Sequence, residues 1–310
     1  LAFAIVWGIY ALSGLFAPPA ATEGDAIKVA MVQRNFQCVF KAGERENPLE
    51  VYDSLVGNIA SLAPDAVVLS ESAMCEFSPV DQQGAVRFAQ RISAATGGAS
   101  VLAGGTRFGD GKEYNSAAIY AGDQISVYDK VHLVPFGEYI PGDKWIVALQ
   151  KLAPVGSCTP GELKTLPLCG FPVGIAICYE DTDSAQMRKL AKIGARALFF
   201  ITNDSWFSRS IETEQHAWQA VSRALETGLP VVRVGNSGVT GTISPNGKAS
   251  WLVGKNGRPL VDRSGTMFDR VVLPPKGRLA PYVRIGDLPL GIMFALLITV
   301  MIVVKYKNYE

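Results

Sequence analysis

Histidine is nearly missing from this 310-residue chain: only His132 and His216 occur, too few for a histidine-rich metal site, and no metal is expected. Excess charge is missing too. Lys and Arg total 29 against 28 Asp and Glu, a net charge of +1, so nothing points to a nucleic-acid partner. There is no Gly-x-Gly-x-x-Gly and no phosphate-loop motif, and Gly235-Asn236-Ser237-Gly238 is not the Gly-x-Ser-x-Gly elbow of serine hydrolases. Nucleotide cofactors and a serine nucleophile are therefore unsupported, and no cofactor of any kind is expected. Internal repeats of solenoid length and low-complexity tracts are absent as well.

Two stretches have no charge at all, Leu1 to Ala17 and Leu288 to Val304. Each is apolar all round and just long enough to cross a bilayer as a helix, so both are read as transmembrane. They explain why the chain is 48% hydrophobic with only 18% charged residues. The reading divides the chain into a span over 1–17, a linker over 18–26, a catalytic domain over 27–273, a linker over 274–287, a span over 288–304 and a tail over 305–310. Lys305 and Lys307 follow the second span, whereas Glu23 and Asp25 follow the first. The positive-inside bias then makes the tail cytoplasmic and the domain external, which in a bacterial inner membrane means periplasmic. Because the first residue is Leu, the chain is read as a fragment whose membrane region continues upstream.

The cysteine count is five, an odd number in a compartment where disulfides persist, so at least one thiol is expected to be unpaired. Cys178 is assigned that role. Cys158 with Cys169 is the candidate disulfide, and Cys38 and Cys75 are expected in the core.

Between the charge-free ends the sequence alternates strand and helix signals. Apolar runs at 27–32, 66–69, 100–103, 116–120, 124–128, 171–177, 197–201 and 230–234 read as strands. Helical spacing marks 48–62, 81–95, 183–193 and 212–227. Ala121-Gly122-Asp123 and Ser244-Pro245-Asn246-Gly247 read as hairpin turns. This mixture predicts layered α/β, with helices covering a sheet core. A short apolar stretch, Trp145 to Leu152, fits either a core helix or an interfacial flap dipping into lipid headgroups.

Three chemically active residues stand just past three of these strands. Glu71 follows Val67-Val68-Leu69, Lys130 follows the 124–128 run, and Cys178 ends Phe171 to Ile177. Strand ends are where open α/β sheets expose reactive groups. Taken singly, Cys178 could be one more buried small hydrophobe and Glu71 a solvated loop acid. Taken together with Lys130-Val131-His132-Leu133-Val134-Pro135-Phe136-Gly137-Glu138-Tyr139, they resemble the nitrilase, or carbon–nitrogen hydrolase, superfamily, over roughly 27–273.

The resemblance implies an α-β-β-α sandwich, here flanked by a single transmembrane helix at each end. It implies Glu71 as general base, Cys178 as nucleophile and Lys130 as stabiliser of the tetrahedral oxyanion. Glu138 becomes a second glutamate that orients Lys130 or relays protons, and the Tyr179 amide a second oxyanion donor. Tyr139, Tyr179, Glu180, Trp206 and Phe207 are the expected substrate contacts. Two spans around an external domain, with Asn203-Asp204-Ser205-Trp206-Phe207 and Asn236-Ser237-Gly238-Val239-Thr240, are similar to the superfamily's membrane-embedded acyltransferase branch. That branch implies a phospholipid acyl donor, a diacylglyceryl lipoprotein acceptor and the lipid bilayer as partners. The alternative is a membrane-anchored amidase using the same triad. A binding domain without activity is disfavoured by the intact Glu71, Lys130, Glu138 and Cys178.

The chemistry sets a physical condition. An ordinary thiol and an ordinary carboxyl have pKa values of about 8.5 and 4.3, so moving the thiol proton to Glu71 is uphill by about 6 kcal/mol. Burial must raise the carboxyl, and Lys130 must stabilise the thiolate, for the transfer to be usable.

Overall fold

The computed structural model describes residues 24–36, 48–74, 79–141, 158–207 and 210–307. The first expected span, the Trp145 to Leu152 stretch, Cys38 and Cys75 lie outside the described residues.

Two six-stranded sheets form the core. The first runs in the order β12-β1-β2-β3-β4-β5 and contains β1 (Ala26–Gln33), β2 (Ala66–Leu69), β3 (Ser100–Gly109), β4 (Lys112–Ala121), β5 (Gln124–Asp129) and β12 (Gly265–Val272). The second runs β11-β10-β9-β8-β7-β6 and contains β6 (Thr165–Leu168), β7 (Phe171–Ile177), β8 (Leu198–Thr202), β9 (Val231–Gly235), β10 (Gly241–Ile243) and β11 (Ala249–Trp251). In each sheet the central strands are parallel, β1–β2–β3 and β7–β8–β9, with antiparallel strands outside them. These are the strand–helix units and hairpins expected from the sequence.

Period-two alternation stacks the layers. Ile27, Val29 and Met31 of β1, Val68 of β2, Ile175 and Ile177 of β7, and Phe199 and Ile201 of β8 meet in one cluster between the sheets. Their neighbours Ala30, Val32, Val67 and Leu69 point the other way, onto α1 (Pro48–Ala60) and α2 (Gln83–Ala95), through Tyr52, Val56, Ile59, Phe88 and Ile92. On the far side Ala176, Leu198 and Phe200 meet Met187 and Leu190 of α3 (Ser184–Lys192) and Ala220 and Ala224 of α4 (Glu212–Thr227). The result is helix, sheet, sheet, helix. Each Phe, Ile or Leu withdrawn from water in these clusters contributes about 1.5–3 kcal/mol of transfer free energy.

The stretch 274–287, between the domain and the last helix, contains α5 (Pro281–Ile285), which packs Val283 against the second sheet's helices, and Arg188 of α3 donates to the carbonyls of Tyr282, Val283 and Arg284 at 3.2, 2.9 and 3.0 Å. A guanidinium satisfying the carbonyls at a helix end gives this segment a fixed seat. One expectation needs correction: the candidate disulfide does not exist, since Cys158 and Cys169 are both free thiols. Cys169 lies in the tight β6–β7 turn and donates to the Asp65 carbonyl at 3.3 Å, while the Cys158 amide donates to the Glu138 carbonyl at 2.8 Å.

Beyond α5 the chain enters α6 (Leu288–Lys307). Its window Leu288–Lys305 has a mean hydropathy of 2.4 and none of it is buried against the protein. Among the described residues it is the one helix long and apolar enough to cross a membrane, and it coincides with the second expected span.

Candidate active site

Glu71, Lys130, Glu138 and Cys178 come together where β2, β5 and β7 end. Gly104 of β3 lets the Glu71 turn settle onto the sheet, for a Cβ there would stand 2.2 Å from the Glu71 carbonyl oxygen. The Gly104 amide instead donates to the Ser70 carbonyl at 3.1 Å. Glu71 Oε1 accepts from Asn115 Nδ2 and Oε2 from the Asn203 backbone amide, both at 2.8 Å. The carboxylate is thus held from both sheets, with Asn115 on β4 and Asn203 just past β8.

Lys130 is 1% exposed. Its Nζ lies 2.8 Å from Glu138 Oε1 and 4.0 Å from Glu71 Oε1. Glu138 also accepts from Asn115 Nδ2 at 2.7 Å and, through Oε2, from the Val134 amide at 2.7 Å. Asn115 therefore bridges the two glutamates, and a buried ammonium compensates both. Burial works to strip the lysine of its proton, but Glu71, Cys178 and Glu138 more than offset this and keep it charged well above the ordinary lysine range.

Cys178 occupies a strained turn. It opens a 3-10 segment directly after β7 and has φ = 53°, a left-handed conformation that costs a non-glycine residue free energy and collects at functional sites. The thiol is partly buried. Burial pushes its pKa up, Glu71 and Asp204 push in the same direction, and Lys130 and the Thr202 hydroxyl pull it down. Glu71 is raised by burial, against Lys130, Asn115 and the Asn203 amide, with Glu138 adding to the rise. At rest the thiol is neutral and the lysine charged. Burial has lifted the carboxyl, as the sequence reading requires, but it has lifted the thiol as well, so the proton transfer depends on Lys130 opposing the rise at Cys178.

The remaining expected contacts divide. Tyr179 is 55% exposed and Trp206 77% exposed, so both present aromatic surface to solvent close to Cys178 and Asn203 in the chain. Phe207 is partly buried, its ring edge-on to the His216 ring at 5.8 Å. Tyr139 is partly buried and its carbonyl accepts from the Phe136 amide at 2.7 Å. Glu180 does not reach out to a substrate: it is 0% exposed, with its lone pairs already filled. Tyr128 Oη donates to it at 2.9 Å, the Val131 and His132 amides at 2.8 and 3.1 Å, Gln186 Nε2 at 2.9 Å and the Ile177 amide at 2.8 Å. It staples the Lys130 segment to the Cys178 turn. Glu180→Gln sets an amide against these donors and is expected to destabilise the protein by about 3 kcal/mol. Thermal unfolding in detergent checks this, and an unchanged melting temperature would contradict it.

Sequence reasoning missed Asn115, which carries no signal beyond being polar in a strand, and it singled out the Asn203 segment without foreseeing that the Asn203 amide holds Glu71. It also missed a buried ionic cluster made by Asp181, Asp204, His216 and Arg233. Arg233 could have been found, since a charge in the middle of an apolar strand must have a partner.

Comparison with known proteins follows the same outline. The profile of the carbon–nitrogen hydrolase family matches residues 28–267. An apolipoprotein N-acyltransferase of Geobacter metallireducens is 35% identical over 242 residues, covering 73% of this chain and 45% of that protein. The apolipoprotein N-acyltransferase of Haemophilus influenzae is 28% identical over 323 residues, covering 98% of this chain and 59% of its own length. The chain thus spans about half the length of the curated relatives it matches. Among solved structures, a mutant of a Nesterenkonia amidase from the nitrilase superfamily superposes with a TM-score of 0.60 at 16% identity, covering 89% of this chain and 100% of the amidase. A Helicobacter pylori carbon–nitrogen hydrolase gives a TM-score of 0.57 at 17% identity, covering 79% of this chain and 89% of its own. At those identities the likeness speaks for the fold alone.

Proposed function

Because the chain belongs to the carbon–nitrogen hydrolase family, we propose that its Glu71–Lys130–Cys178 site performs acyl transfer between lipids at a membrane, as in the apolipoprotein N-acyltransferases it is similar to. The observation that carries this reading is a fully exposed apolar helix, α6, joined through the seated α5 to the domain that holds the triad. An enzyme for small soluble amides has no need of such an anchor, whereas a donor and an acceptor both confined to a bilayer require one.

In the first half-reaction Glu71 takes the Cys178 proton as Sγ attacks the ester carbonyl of a phospholipid. Negative charge develops on the carbonyl oxygen and is met by Lys130 Nζ and the Tyr179 amide. Collapse breaks the ester bond, the departing lysophospholipid oxygen takes the proton back from Glu71, and the acyl group remains as a thioester. In the second half-reaction the α-amine of a diacylglyceryl-cysteine lipoprotein attacks the thioester and gives its proton to Glu71. The amide forms, and the Cys178 sulfur leaves and recovers the proton. This is covalent, ping-pong catalysis in two easier steps. In this reading exposed Trp206 and Tyr179 offer aromatic surface to the acyl chains. Lys305 and Lys307 after the span support a cytoplasmic tail and a periplasmic site through the positive-inside bias.

The test is the fate of the thioester. With phospholipid present, a synthetic diacylglyceryl-cysteine peptide should gain one acyl chain in amide linkage, and free fatty acid should stay a minor product. Release of fatty acid at an equal rate with and without the peptide would sink the transferase in favour of a hydrolase.

A further inference from the structure

Behind the thiol lies a buried cluster that the reaction above does not use. His216 of α4 sits between two carboxylates, with Nδ1 2.8 Å from Asp204 Oδ1 and Nε2 2.8 Å from Asp181 Oδ1. Nδ1 also lies 3.1 Å from Arg233 Nη2, but a carboxylate stands against each ring nitrogen and together they favour the doubly protonated, positively charged ring. Arg233 of β9 completes the group, with Nη2 3.0 Å from Asp204 Oδ2 and Nη1 3.7 Å from Asp181 Oδ2. Asp181 is fully buried, and its contact with Nε2 is ionic and poorly aligned as a hydrogen bond. What holds that charge in the interior is the pair of cations. Two carboxylates and two cations leave the cluster neutral.

Its connections matter more than its composition. Asp181 belongs to the 3-10 turn that Cys178 opens. Asp204 directly follows Asn203, whose amide holds Glu71 Oε2, and Thr202 Oγ1 donates to Asp204 Oδ1 at 2.8 Å. Two helical turns along α4, Arg223 Nη1 donates to the Thr182 carbonyl at 2.8 Å and closes the same 3-10 turn. Packing is tight here: a Cβ on Gly238 would stand 1.9 Å from Asp204 Oδ2.

We propose that His216 is a positioning residue for Cys178: its imidazolium ties the turn bearing the nucleophile to the turn bearing the amide that holds Glu71, and its charge keeps the cluster beside the thiol neutral. The proposal rests on Cys178 being the nucleophile of the reading above. It does not depend on the acyl donor, because Cys178 reactivity can be read without any lipid.

The charge has a pH signature. Asp181 from the turn after β7, Asp204 from the turn after β8 and Arg233 from β9 are the charged groups facing the ring. Burial and Arg233 act to lower its pKa, yet Asp181 and Asp204 raise it from 6.5 to about 9. A folded-state value above the unfolded one means that stability from this group is fully present below pH 6.5 and is lost as pH rises through about 9.

The test uses the full chain in detergent and measures Cys178 carbamidomethylation by iodoacetamide against pH, read on the Cys178 peptide by mass. His216→Gln leaves the cluster with net negative charge and should move the alkylation midpoint to higher pH. Asp181→Asn leaves it positive and should move the midpoint to lower pH, and the two together should bring it back. Acylation by phospholipid in His216→Gln should fall about 10–100-fold, as expected for a displaced nucleophile. Its thermal stability should also lose the wild-type decline between pH 6.5 and 9. An unchanged midpoint in His216→Gln, or shifts of the same sign in His216→Gln and Asp181→Asn, overturns the proposal. If His216→Gln fails to fold, Asp181→Asn and the double variant decide, since Asp181→Asn without a downward shift is equally fatal.

Discussion

Lys130→Met should slow the acylation of Cys178 by at least about 10³-fold, with the folded protein still recoverable in detergent. Removing a single oxyanion donor costs about 10²–10³ in rate. Lys130 does more than donate: its ammonium lies 2.8 Å from Glu138 and 4.0 Å from Glu71, and it is the charge that draws the Cys178 pKa down against burial. Without it the thiolate loses its counter-charge and two partly buried carboxylates face each other across Asn115. Methionine keeps the apolar stem, so the packing loss is small and the electrostatic loss is isolated. Single-turnover acylation read by intact mass measures the effect, and a loss under tenfold would mean that Lys130 is not the stabilising charge.

Glu71→Gln is the second large effect, about 10³-fold on the same step. The glutamine oxygen can still accept from the Asn203 amide, so the turn should keep its place, while the group can no longer accept a proton. The pH profile separates this from a positional fault. Burial raises the Glu71 pKa, so the wild-type acylation rate should fall on the acid side at a pH above the ordinary carboxylate range, as the base becomes protonated. In Glu71→Gln that acid limb should vanish from the residual rate. A variant that keeps the limb would transfer the role of base to another group, Glu138 being the nearest carboxylate to Lys130.

Both effects were readable in outline from the chain, because the fold writes its pattern into the central strands. Ile27, Val29 and Met31 alternate with Ala30 and Val32, and β7, β8 and β9 do the same, so period and run length locate them. The strand ends then place Glu71, Lys130 and Cys178. The outer strands were less legible. β12 has Asp269 and Arg270 inside it and, among the described residues, pairs only with β1 at the end of its sheet, so no apolar run is required. β6 contains Pro167, tolerable only because it is the last strand of its sheet.

The site divides in the same way. Of the groups proposed to act on a substrate, Lys130 and Glu138 stand in a contiguous and distinctive segment, from Lys130 to Tyr139, and Glu71 and Cys178 stand just past readable strands. Groups that hold them do not. Glu180 was expected to touch substrate, because an acid beside a nucleophile looks like chemistry. Its burial and its donors come from three distant segments, around Tyr128, Val131 and Gln186, which no local pattern reveals. His216 drew no functional expectation for the same reason. Its partners lie 35 and 12 residues upstream and 17 downstream, and meet only when β7, β8 and β9 align.

The measurement that bears most directly on the account is the intact mass of the detergent-solubilised chain after incubation with phospholipid, with Cys178→Ala run in parallel. A gain of one fatty-acyl mass, lost on hydroxylamine treatment and absent in Cys178→Ala, is the expected result. A folded protein that takes up no acyl group, yet releases ammonia from a small amide through Cys178, would contradict it.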